Sequence, residues 1–228
     1  MTPTILAVGV VVPARNEQEL LPGALDALGV AAVEVARFGV PVDLLVVADS
    51  CTDRTVAVAR ARGVRVVEVQ AGSVGKARAA GLRLLLERQR AVPPDRLWLA
   101  STDADSRVPP HWLRGQLDLA ADGADLVVGT VEVDDWSPHP PYVEARWRAG
   151  YDGQDGHRHV HGANVGVRAD AYREVGGFRS LDRDEDVALV AALGHRRVVR
   201  SGTIPVVTSA RLRSRTGGGF ADHLAGLA

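Results

Sequence analysis

Through the first half of the chain, short apolar runs alternate with longer stretches of mixed polarity. Residues 5–12 (ILAVGVVV) carry no polar interruption, which predicts a strand buried on both faces. Residues 19–38 then place Leu20, Ala24, Leu25 and Leu28 on one face of a helix. A second strand is expected over 44–48. Asp53 can cap a helix that runs through Arg62 and ends at Gly63. Further strands are expected over 64–69 and 97–101, with a helix over about 74–90 between them. Alternation of this kind predicts an α/β fold, a mostly parallel sheet with helices on both faces. Such sheets bind ligands beyond the carboxyl ends of their strands, so 13–17, 49–53 and 101–107 should meet at one site.

The second half is less regular. A helix is expected over 112–121 and a strand over 126–133. Residues 134–161 are rich in Pro, Trp, Tyr and His without a steady period, and read as a smaller irregular region. A short strand over 163–167, a short helix over 170–175 closed by Gly176-Gly177, and a helix over 186–193 follow. Residues 198–209 hold strand-like pieces split by Pro205, and the tail SARLRSRTGGGF is basic and then glycine-rich. With neither internal repeat nor linker, one domain over 1–228 is expected. Its two halves would be 1–108 and 109–228.

Composition narrows the classes. A chain of 228 residues, 46% hydrophobic and 24% charged, can bury one substantial core. The net charge of −1 gives no basic field for nucleic acid. A single cysteine, Cys51, excludes an internal disulfide framework and fits a reducing compartment. No apolar run approaches the ~20 residues that span a bilayer, and no basic residue precedes the first run as in a secretory signal. The expectation is a cytoplasmic protein without a transmembrane segment, with peripheral membrane contact left open.

Two phosphate-binding patterns are excluded. The loop after the first strand reads VVPARNE, with no G-x-G-x-x-G. AGSVGKAR has Gln70 where a P-loop needs its first glycine, and Ala77 where it needs Ser or Thr. The stretch STDADS is different. Asp103 and Asp105 flank only Ala104 at the end of an expected central strand. Side by side they suit Mg²⁺ or Mn²⁺, hard cations that take oxygen ligands and bridge phosphates. Away from such a strand end, the same pair would read as a helix cap beside a solvated carboxylate.

VVVPARNEQELLPGALDAL, VVADSCTDRT, VGKARAAGL, STDADS, GANVGVRADAYREVGGF and DRDEDVAL occur in that order. Together they resemble the family 2 glycosyltransferases, inverting enzymes of the GT-A fold, over most of the chain. The resemblance implies a Rossmann-like sheet, a nucleotide-diphosphate sugar donor, and transfer to an acceptor hydroxyl on a small molecule, glycan or lipid-linked carrier. It further implies that Pro13, Arg15, Asn16 and Glu17 embrace the nucleoside and that Asp49 contacts base or ribose. Lys76 and Arg78 would lie near the nucleotide, and Asp103 and Asp105 would hold Mn²⁺ or Mg²⁺ against the diphosphate. Gly162, Ala163 and Asn164 would line the sugar pocket. In the pair Glu185-Asp186 the aspartate would be the base.

The chain also departs from the pattern. Ala48 stands before Asp49 where a second acid is common, and Ala80 replaces an asparagine. The Q-x-x-R-W element of processive synthases is absent, and SARLRSRTGGGF stands in its place. There Arg211, Arg213 and Arg215 would share one face of a strand or fold over a diphosphate from a loop. Each assignment has a plainer counterpart. Asp182, Asp184, Glu185 and Asp186 would equally favour a helix start through the helix dipole. His157, His159 and His161, on one face of a strand, would be spaced for zinc. Trp136, Tyr142, Trp147 and Tyr151 could form an acceptor platform or merely pack. The competing functions are a retaining transferase of the glucosyl-3-phosphoglycerate synthase type and a non-catalytic nucleotide-sugar binder.

Overall fold

The computed structural model describes residues 4–181, 183–215 and 219–228. Its strands are β1 (Ala7–Ala14), β2 (Val42–Asp49), β3 (Arg65–Val69), β4 (Leu97–Ser101), β5 (Ser106–Arg107), β6 (Leu126–Glu132), β7 (Val165–Arg168) and β8 (Val198–Thr208). They form one sheet in the order β3-β2-β1-β4-β7-β6-β8-β5. β1, β2, β3 and β4 are mutually parallel, whereas β7 runs antiparallel between β4 and β6.

β1 shows why its run is unbroken. Val8, Val10 and Val12 pack on one face, and Ala7 and Val11 on the other. The first face is covered by α1 (Leu21–Ala36), α2 (Thr55–Ala61) and α4 (Trp112–Ala121), through Leu21, Leu25, Leu28, Ala59, Trp112 and Leu113. The second is covered by α3 (Val74–Arg88), α6 (Ala169–Glu174) and α7 (Glu185–Ala192), through Leu82, Leu85, Tyr172 and Leu189. Asp53 lies one residue before Arg54, the N-cap of α2, and its Oδ1 accepts from the Thr55 backbone N–H at 2.9 Å.

The irregular region holds more order than its sequence pattern suggests. Within 134–161 lies a helix, α5 (Pro141–Gly150), opened by a proline whose missing N–H needs no partner there. Only Val143 and Trp147 on it are buried, one helical turn apart, so its apolar period is too short to register. A last helix, α8 (Phe220–Ala225), sets Leu224 against Val133, Trp147 and Ala210. β8 is continuous through Pro205. Its pairing with β6 jumps from Gly129↔Ser201 to Val131↔Val206, and Pro205 lies in that excursion, where no ladder N–H is required.

Asn164 holds this irregularity together. Its Nδ2 donates to the carbonyls of Thr130 (2.9 Å) and Ile204 (2.7 Å), and its Oδ1 accepts from Trp112 Nε1 at 2.8 Å. The side chain is fully buried and fastens β6, β8 and α4 to one another. Asn164→Ala leaves three buried polar groups without partners. We expect a loss of about 2–4 kcal/mol in denaturant unfolding. A variant that instead kept its stability and lost affinity for a sugar nucleotide would place Asn164 in a pocket.

Candidate active site

The carboxyl ends of β1, β2 and β4 bring 13–17, 49–53 and 101–107 to one rim, as strand order requires. They border a cavity of about 730 Å³ whose lining includes Pro13, Arg15, Glu17, Asp49, Asp103 and Asp105. Second-half residues complete it, among them Gly162, Ala163, Asp186, Arg211 and Arg215. Asp49 is held by the backbone N–H groups of Ala71 (2.7 Å) and Gly72 (3.2 Å). Asn16 lies off the cavity lining. With φ at 54° it turns the loop, and its Oδ1 accepts from Thr52 N–H at 2.8 Å. Lys76, Asn164 and Arg213 are likewise not brought to the lining among the described residues.

Charge dominates the floor. Arg78 on α3 is buried, and its guanidinium joins Asp103 at 2.5 Å to Glu185 at the start of α7. Arg211 grips both oxygens of buried Glu17 (2.7 and 3.0 Å) and reaches Asp105 at 2.5 Å. Arg215 stands 3.7 Å from Glu17 and half-exposed. Four carboxylates thus face two closely held arginines. Burial, with Asp103 and Glu17 as like charges, pushes Asp105 up to about 6 although Arg211 opposes the shift.

Two glycines make the network sterically feasible. A Cβ on Gly162 would stand 2.4 Å from Arg78 Nη1, and one on Gly75 would stand 2.7 Å from Glu185 Cγ. Gly162 also fixes Asp186, donating its N–H to Oδ2 at 2.6 Å. The acidic helix start therefore divides its labour. Glu185 turns inward to Arg78, Asp186 faces the cavity beside Gly162, and Asp184 is exposed with φ at 57°. Asp182 lies outside the described residues.

The excess negative charge at Asp103 and Asp105 fits a hard divalent cation, which both carboxylates could share. Among the described residues no group of three acidic, histidine or cysteine side chains could hold a metal. The rest of such an ion's shell would have to come from a ligand and water. The histidines do not lie on a strand, contrary to the sequence expectation. Their rings stack in series, His157 to His159 at 6.0 Å and His159 to His161 at 5.9 Å. Tyr151 is sandwiched between Trp147 (4.4 Å) and His159 (4.1 Å). Trp136 and Trp147 belong to the packed end of this stack, against Val133 and Leu224.

Arg211 was legible only as one of three alternating arginines. Its partnership with Glu17 depends on a short β5–β8 pairing, Ser106↔Thr208, that no sequence pattern announces. Tyr151 and Phe220, both lining the cavity, carry no motif signal beyond their aromatic character.

A sheet of this order, flanked by helices on both faces, is the architecture of the GT-A glycosyltransferases. The chain belongs to glycosyl transferase family 2, whose model matches residues 9–176. It is 35% identical over 85 residues to a dolichyl-phosphate hexose transferase of Haloferax volcanii, covering 37% of this chain and 33% of that protein. Among solved structures it is similar to S. aureus TarS 1-349 in complex with UDP-GlcNAc, with a TM-score of 0.66 and 14% identity over 93% of this chain and 61% of that one. It is also similar to the mannosyltransferase PcManGT from Pyrobaculum calidifontis in complex with GDP-Man and Mn²⁺ (TM-score 0.64, 20% identity, 91% and 58% covered). Glucosyl-3-phosphoglycerate synthase from Mycobacterium tuberculosis has a TM-score of 0.58 at 16% identity, with 97% and 75% covered. The chain thus spans about a third of the curated relative's length and about 61% of the TarS chain. No helix among the described residues is long and apolar enough to cross a membrane.

Burial, then the neighbouring rings of His159, His157 and His223, lowers His161 from 6.5 to about 3. Between those values the unfolded chain takes up a proton that the native state refuses. The stabilisation is therefore full above pH 6.5 and is lost as the pH falls toward 3. The slope for this one group is about 1.4 kcal/mol per pH unit. Urea unfolding across this range should show a stability decline that His161→Asn flattens. Superimposable profiles would assign the acid sensitivity elsewhere.

Proposed function

We propose that the protein transfers a sugar from a nucleotide-diphosphate sugar to an acceptor hydroxyl, with inversion at the anomeric carbon. One observation carries this reading: Asp186 and the Asp103–Asp105 pair open onto the same cavity, anchored from opposite halves of the chain. The half over 1–108 supplies the donor side, with Asp49 and Arg15 toward the nucleoside, and 109–228 supplies the acceptor side. Asp103 and Asp105 would hold Mn²⁺ or Mg²⁺, which when bound neutralises charge on the departing diphosphate. Arg211 and Arg215, at the donor rim, add cationic charge to the same place.

Asp186 accepts the proton of the acceptor hydroxyl. The hydroxyl oxygen forms its bond to the anomeric carbon on the face opposite the diphosphate. The bond from that carbon to the phosphate oxygen breaks, and the nucleoside diphosphate leaves with its electron pair. The Gly162 N–H holds Asp186 Oδ2 in place and leaves further lone pairs on the carboxylate for the incoming proton. Glu185, paired with Arg78, positions the network.

Two sets of variants test this. Asp103→Asn and Asp105→Asn should weaken nucleoside-diphosphate binding far more in Mn²⁺ than in EDTA, as read by calorimetry. Equal binding with and without metal in the parent would remove the metal assignment. Asp186→Asn keeps the shape but loses the base, so transfer should fall by about 10²–10⁴ while donor affinity persists. Glu185→Gln should lose less, and Asp184→Asn little. Equal small losses in all three would mean a helix-start cluster without a base. A product anomer retaining the donor's configuration by NMR would exclude inversion.

A further inference from the structure

The acceptor side of the cavity has a defined hydrogen-bonding polarity. Tyr151 Oη accepts the Val131 backbone N–H at 2.8 Å and lies 3.0 Å from His161 Nε2. The tyrosine keeps its proton, since burial pushes its pKa up to about 12, and His161 is neutral. The arrangement that leaves no buried hydroxyl hydrogen idle has Tyr151 donating to Nε2, which puts the imidazole hydrogen on Nδ1. That Nδ1–H has no protein partner among the described residues, and His161 lines the cavity immediately before Gly162. His159 follows the same logic: its Nε2 accepts the Asp152 N–H at 3.1 Å, so its hydrogen also sits on Nδ1.

The charge of this wall is equally defined. Asp184, Glu185 and Asp186 line the cavity beside the rings of Tyr151, His159 and Phe220. Arg78 is spent on Glu185 and Asp103, which leaves Asp184 and Asp186 as the charge of this wall. Arg146 donates to the Leu227 carbonyl at 2.7 Å and lies 5.3 Å over the Tyr142 ring, while Arg215 sits beside Glu17. A phosphate acceptor, already anionic near neutral pH, would be repelled by Asp184 and Asp186 at this wall. It would also have no proton for Asp186 to take.

We infer that Tyr151, His159 and His161 form an acceptor subsite for an uncharged hydroxyl compound with a flat ring face, and that His161 Nδ1–H holds the reacting hydroxyl. The inference rests on the transfer reading above. The acceptor hydroxyl gives its hydrogen to Asp186, takes one from His161, and keeps a lone pair for the anomeric carbon. Trp147 and His159 cover both faces of Tyr151, so the acceptor ring, whether aromatic or the C–H face of a sugar, lies along the edge of the Tyr151–His159 stack.

The probe is 4-nitrophenyl β-glucoside, which is neutral and carries both kinds of ring, titrated into protein loaded with UDP and Mn²⁺. His161→Asn keeps an amide N–H where Nδ1 stands, and His161→Gln keeps only the group that faces Tyr151. We expect the glutamine variant to bind the probe about tenfold more weakly and the asparagine variant to recover most of that loss. UDP affinity should stay within a factor of two in both. Farnesyl phosphate should bind more weakly than the glucoside. Parent-like probe binding in the glutamine variant, or preference for farnesyl phosphate, overturns the subsite and leaves the transfer reading standing. If the parent binds donor yet transfers its sugar to nothing, and Asp186→Asn changes no rate, the transfer reading falls and the subsite with it.

Discussion

Two closely held arginines, buried Arg78 and part-buried Arg211, face four carboxylates and constrain the rest of the site. Arg78 ties the acidic turn after β4 to the start of α7, and Arg211 ties the tail to the first loop. Removing either cation would leave buried carboxylates without compensation, a loss larger than the pair's net contribution to stability. The neighbouring backbone is shaped to admit these contacts, which is why glycine stands at 75 and 162. Each of these arginines is shared between two carboxylates, so Asp103 and Asp105 keep negative charge that a divalent ion would complete.

The sheet explains how distant segments reach that rim. Parallel β1, β2 and β4 all end on the same side, delivering three loops from the first half. The antiparallel insertion of β7 reverses the chain, so the turn before it, carrying His161 and Gly162, lies at that same side. The short β5–β8 pairing then brings Arg211 beside Asp105. Asn164 stabilises the irregular β6–β8 register from within, which keeps the turn and the tail in fixed relation.

The family's motifs and the geometry divide the same residues differently. Asp103, Asp105, Glu17 and Asp186 come together at the cavity, whereas Asn16 shapes a loop and Asn164 fastens the core. Motif spacing identifies a segment, but a side chain's task depends on which way the backbone turns it. Asn164 follows Gly162 and Ala163 by one or two positions, yet its neighbours line the cavity while it faces α4.

The sequence by itself determined the elements with a strong local period. Residues 97–101 and 112–121 fall where the pattern placed them, and β1 and β2 fall within a few residues. Hydrophobic alternation is set by which face each residue buries, and that information is local. It also determined the rim of acids after the strands, because strand direction alone carries their loops to one side. Only the tertiary structure decided the charge partners. Arg78 and Glu185 are 107 positions apart, and Glu17 and Arg211 are 194 apart. No period links residues so distant, and their pairing follows from sheet order. The same holds for α5 and the stacked Tyr151 and His159, whose contacts are made with other elements and leave no repeat of their own.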